Sequence, residues 1–149
     1  MARLTVAALF AAAFGLVAIV LLYEDHQSGE GVVLFAAELI AFYAVGGAIA
    51  GLLSAPLFGH GGLSGWVRAI VGGLVVTVLG GMLGGALAAT PTMVMNQSLL
   101  PLAMGLALGT VSLPLAAPQA PLTVPLWLGV IIAAHVIARA ARRRGTLSS

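Results

Sequence analysis

Residues 66–89 read WVRAIVGGLVVTVLGGMLGGALAA, and this stretch decides the fold. Past Arg68 it carries no charge. As a helix it would run about 36 Å, against a hydrocarbon core of about 30 Å. Small residues recur in it at helical spacing: Gly73, Thr77, Gly81 and Gly85 fall four apart, with Gly72, Gly80 and Gly84 alongside. Residues four apart stack on one helix face. Such a face lets helix backbones approach closely, so that dispersion contacts replace the hydrophobic drive that lipid cannot supply. The stretch therefore reads as a membrane-spanning helix.

Four more apolar segments flank it, residues 4–22 and 32–57 before it and 99–117 and 122–138 after it. The second carries Gly47 and Gly51 and the fourth Gly105 and Gly109, again four apart. Across all 149 residues 61% are hydrophobic and 7% charged, and mean hydropathy is +1.16. A soluble domain carries about 25% charged residues and needs them to cover its outside. The same composition excludes intrinsic disorder, and the absence of cysteine excludes a disulfide scaffold and thiolate chemistry. The expected fold is all-α: one membrane domain over residues 1–149, a polytopic bundle of four or five transmembrane helices with GxxxG-type packing. An arginine-rich tail, 139–149, follows the last segment.

The connections read as polar turns and glycine-rich loops. EDHQSGE (24–30) reads as a tight turn, SAPLFGHGGLSG (54–65) as a loop, and TPTMVMNQS (90–98) as the cap of the third segment. LPLAAPQAPLTVP (113–125), with four prolines, reads as a kinked or extended connector. The first segment has the basic start of a signal peptide, but its apolar run continues through IVLLY to the acidic turn, so an uncleaved helix is expected.

Topology is a conflict between charge and hydropathy. There is no lysine, and the arginines are Arg3, Arg68, Arg139, Arg142, Arg143 and Arg144. Short cytoplasmic loops gather Lys and Arg. With four crossings and the N-terminus inside, all six arginines fall on the cytoplasmic side, and the fourth segment is re-entrant or lies against the protein. With five crossings and the N-terminus outside, four arginines are inside and two outside. Both arrangements put the C-terminus in the cytoplasm.

The run GGAIAGLLSAPLFGHGGLSGWVRAIVGGLVVTVLGGMLGGALA (46–88) resembles the small transglycosylase-associated membrane proteins of bacteria. It covers at most a third of the chain. The resemblance implies two glycine-spaced helices joined by a glycine-rich loop.

Ionisable groups inside apolar segments are costly and so are candidates for function. Glu38 lies about 9 Å into the second segment and His135 about 6 Å before Arg139, by helical rise. On a helix Glu38 shares its face with Leu34, Phe42, Val45 and Ile49, while Tyr43, Gly47 and Gly51 point roughly the other way. Under five crossings a Glu38–His135 hydrogen bond is possible, the start of a proton relay; under four they lie at different depths. Glu24, Asp25, His26 and Glu30 read as a solvated turn, lacking an EF-hand pattern of cation ligands. The loop 59–65 lacks the GK[ST] ending of a phosphate loop. There Ser64 is a candidate N-cap, Trp66 an interfacial anchor and Arg68 a neighbour of lipid phosphates.

No HExxH, GxSxG or intramembrane aspartate pair occurs, so neither catalysis, a metal nor a cofactor is expected. The expected function is a structural or accessory role in a bacterial inner membrane. In it the chain binds other membrane subunits, or itself, through its glycine faces, with no nucleic-acid partner. The alternative is a small homo-oligomeric channel or transporter with Glu38 lining the pathway.

Overall fold

In hydrocarbon the backbone must satisfy its own polar groups, and runs of Ala, Leu, Val and Ile do so as helices. The computed structural model describes residues 2–28, 36–119 and 123–146. It contains five helices: α1 (Ala2–Ser28), α2 (Ala36–Ser54), α3 (Gly62–Asn96), α4 (Leu100–Gln119) and α5 (Thr123–Thr146). No strand occurs among the described residues. Four helices are long and apolar enough to cross a membrane; in α4 the apolar stretch among the described residues is Leu100–Val111.

Several ends differ from the sequence reading. Glu24, Asp25 and His26 continue α1 to Ser28 rather than forming a turn, since nothing in EDHQS breaks a helix before Gly29. Glu30 lies outside the described residues, as do the side chains of Glu24, Asp25 and His26. After α2 a single 3-10 turn, Ala55–Leu57, leads to Gly59 and Gly62, which take φ of +83° and +71°. Those left-handed positions complete the reversal early, so Gly61 caps α3 and Ser64 sits inside its first turn.

Helix α3 then absorbs Thr90–Asn96, including Pro91, and its 35 residues span about 52 Å. It stops where Gln97 adopts φ +48° and its N–H returns to the Met93 and Val94 carbonyls. The proline-rich connector is helical up to Gln119 and again from Thr123, because neighbouring helices and hydroxyls re-satisfy what proline frees. The arginine tail continues α5 to Thr146, as alanine and arginine are strong helix formers.

The helices pack antiparallel in sequence order. Gly15 lies against Ile40 and Ala44, and Gly51 against Ala7 and Phe10, which runs α1 against α2. Gly46 meets Gly80 and Gly84, while Gly72 meets Leu57 and Phe58, running α2 against α3. Gly85 faces Gly105 and Gly81 faces Gly109, running α3 against α4. The centre is aromatic: Phe10, Phe14 and Phe58 are at most 1% exposed. The Trp127 ring lies 5.7 Å from Phe10 and 5.3 Å from Phe14, the second pair edge-on.

These contacts set the levels along the bundle. Arg3, Pro56, His60 and Arg142 line one cleft, so the start of α1, the α2–α3 turn and the end of α5 share one end. Arg68 in the second turn of α3 belongs to that end too. The start of α2 with Glu38 and the α3–α4 corner lie at the other. Gly109 is opposite Gly81, Phe14 touches Gly80, and Trp127 touches Phe14. Gly109 thus meets α3 at mid-height, and α5 begins with Thr123 beside Val17 and Val20, toward the Glu38 end of the bundle.

Candidate functional site

The polar residues singled out in the sequence do not form one site. Glu38 lies in the first turn of α2, and Ser54 at the far end of that helix is about 24 Å away by helical rise. His135 belongs to the Ser54 end, so Glu38 and His135 are not paired and no relay links them. The two faces of α2 are as expected from helical spacing. Glu38, Val45 and Ile49 are exposed and Phe42 half-buried, whereas Tyr43, Gly46, Gly47, Ala50 and Gly51 are buried. Leu34 lies outside the described residues. Tyr43 packs against Gly84 between α2 and α3.

His135 is 1% exposed and held on two sides. Its Nδ1 accepts a hydrogen bond from the Gly59 N–H at 3.3 Å. Its ring stacks on Trp66, with centroids 4.5 Å apart and planes at 29°. Gly59 can donate there because it is pressed onto α5: a Cβ would stand 2.7 Å from the Ala138 carbonyl carbon and 2.8 Å from the Arg139 nitrogen. His135 therefore pins the glycine-rich turn to the last helix. An accepting Nδ1 puts the proton of a neutral ring on Nε2. That atom, like Ser54 Oγ and His60 Nδ1, is buried without a partner in the structure.

Each glycine singled out for helix packing meets a helix of this same chain. Gly47 receives the Phe14 ring and Gly51 the Phe10 ring. Gly73 meets the Ile131 side chain, and Thr77, buried beside it, donates to the Gly73 carbonyl at 2.8 Å. Gly81, Gly85, Gly105 and Gly109 bring α3 and α4 into backbone contact. The stripes thus socket phenyl rings between α1, α2 and α3, take the Ile131 side chain of α5 and seat α4 on α3.

The chain matches no family model, no curated protein and no solved structure. The resemblance of residues 46–88 to transglycosylase-associated proteins therefore finds no support. What the chain does must be argued from its own residues.

Two clefts among the described residues are lined by acidic or basic side chains. One, between the start of α2 and the end of α3, is lined by Glu38, Leu39, Phe42, Pro91, Thr92 and Met95, with no basic side chain. The other, at the arginine end, joins Arg3, His60 and Arg142, and Arg142 also donates to the Pro56 carbonyl at 3.0 Å. Sequence reasoning missed this second cleft. Arg3 and Arg142 belong to opposite ends of the chain, and only an arrangement with every arginine on one side would have put them together. Among the described residues no cluster of His, Asp or Glu could hold a metal ion.

Proposed function

We propose that this chain is a small multi-pass protein of a bacterial inner membrane with a structural or accessory role, associating with other membrane proteins. The observation that carries this is the closed interior. Among the described residues the space between the long helices is filled by Phe10, Phe14, Phe58 and Trp127 and by glycines pressed on them, with Ser54, Thr77, Thr123 and His135 the buried polar residues. The glycine faces hold the bundle itself, in GxxxG-like contacts, so partners meet the outer apolar faces. On α3 these present Leu63, Val67, Ile70 and Leu74.

Four crossings with the arginine end in the cytoplasm is the topology this reading uses. Its support is the Gly59–His135 hydrogen bond. Five crossings would leave those two residues on opposite membrane surfaces. The test is gentle extraction of tagged protein from its native membrane, with the co-purifying species weighed and identified. A defined set of different membrane subunits is expected; a clean homo-oligomer overturns the accessory role.

One observation favours a second reading, a homo-oligomeric channel or transporter. Glu38 is exposed on a largely apolar cleft, where an acid would serve a pathway between subunits. There Glu38→Gln abolishes transport while assembly survives; for an accessory protein the same change is nearly silent.

A further inference from the structure

The cleft at the arginine end has features that the accessory role does not use. Its lining brings together Arg3 from α1, His60 from the α2–α3 turn and Arg142 from α5. Its open volume is about 460 Å³, several times what one phosphate group fills. No carboxylate lines it. Of the chain's four acidic residues, Glu24 and Asp25 stand at the opposite end of α1 from Arg3, about 30 Å away by helical rise. Glu38 stands in the first turn of α2, at the far end from Ser54, and Glu30 lies outside the described residues. Arg142 is anchored by the Pro56 carbonyl, which aims its guanidinium across the turn. His60 Nδ1 is buried and unpartnered beside this space. The remaining wall is apolar, with Val6 and Ala138. Two guanidiniums from separate helices and an imidazole lining one cleft suit a tetrahedral oxyanion, since each fork donates in a plane to phosphate oxygens.

Depth narrows the ligand. The cleft opens where α1 and α5 leave their apolar spans, whose windows begin at Arg3 and end at Arg143. That is the level of phospholipid headgroups, and basic pockets between transmembrane helices on the cytoplasmic side bind anionic headgroups. We propose that Arg3, His60 and Arg142 form a binding site for a phosphate group, supplied by an anionic phospholipid headgroup or by free inorganic phosphate. The apolar wall of Val6 and Ala138 would face the glycerol side of a lipid.

The test uses the full chain in nanodiscs of phosphatidylcholine doped with phosphatidylglycerol, with bound lipid counted by native mass spectrometry after release. Wild-type protein is expected to retain phosphatidylglycerol over phosphatidylcholine. The pair Arg3→Gln with Arg142→Gln is expected to lose about tenfold in that preference, each basic residue near an anionic surface being worth roughly fivefold or less after screening. His60→Gln is expected to lose a smaller part. Arg68→Gln, at the same end but outside the cleft, serves as the control for charge alone and is expected to lose only the smaller share that surface charge contributes. Thermal unfolding of each variant checks that it is folded. Inorganic phosphate is titrated separately: stabilisation of wild type but not of the pair assigns the site to free phosphate, whereas retention of lipid undisturbed by phosphate assigns it to the headgroup. Equal lipid retention in wild type and the folded pair, with no response to phosphate in either, overturns the proposal. So does an equal loss in Arg68→Gln.

Discussion

His135 shows how one buried side chain orders a glycine-rich turn. Gly59 has no side chain to hold it and takes a backbone conformation open chiefly to glycine, so its position depends on what its N–H meets. The acceptor is His135 Nδ1, backed by the Trp66 ring. Replacing His135 by alanine leaves a buried N–H unsatisfied and opens a hole beside the indole. The expected loss is about 2–4 kcal/mol. In His135→Asn the amide oxygen takes nearly the place of Nδ1, so that variant should recover about half of the loss. Equilibrium unfolding in bicelles checks this, and equal destabilisation by both changes would show that the ring's bulk matters more than the hydrogen bond. At this scale the sequence was half legible. An isolated histidine in an apolar run announces itself, but its partner Gly59 lies 76 residues away, where no spacing rule reaches.

The helices themselves were legible, since apolar length and glycine spacing are local properties. Their ends were less so. The first turn of α3 depends on two left-handed glycines, and α3 continues through Pro91 past the point where hydropathy fades. What each glycine stripe faces was also hidden, because a stripe of small residues suits a ring, a backbone or a second chain equally well. The structure separates these cases, and substitutions should rank accordingly. At Gly85 a Cβ would collide with the Gly105 carbonyl, which is backbone and cannot swing aside. Gly85→Ala should therefore cost about 1–3 kcal/mol and loosen α4. At Gly73 the obstacle is the Ile131 side chain, whose Cδ1 can swing aside but whose Cγ1 is held by a stiff χ1, so Gly73→Ala should cost about 1–2 kcal/mol, less than Gly85→Ala. At Gly129 nothing lies within 4 Å, and Gly129→Ala should be neutral or stabilising by up to about 1 kcal/mol through helix propensity. Thermal unfolding of the three variants in one lipid checks the order. A Gly129→Ala variant as unstable as Gly85→Ala would mean that the outer face of α5 is covered by something else.

For the whole molecule the decisive quantity is the number of crossings, on which hydropathy and charge disagree. Hydropathy weighs segment 99–117 by itself and cannot see that α4 starts from the Glu38 end and that α5, beside Val17 and Val20, starts toward that same end. Charge separation carries the missing information: arginines gather at one end, and Glu38 stands at the other. Because the chain has no cysteine, single cysteines can report the side of each turn cleanly. Gly61 is exposed on the α2–α3 turn and Asn96 is exposed at the end of α3. Four crossings with the arginine end inside put residue 61 in the cytoplasm and residue 96 outside. Five crossings with the same cytoplasmic C-terminus reverse both. In intact cells a membrane-impermeant maleimide should therefore label Asn96→Cys and spare Gly61→Cys until the membrane is opened. The reverse pattern, with a C-terminal tag still protected in intact cells, would place Gly59 and His135 on opposite surfaces of the membrane, which their hydrogen bond forbids. That result would overturn the arrangement of α5 against the turn, and the arginine cleft with it.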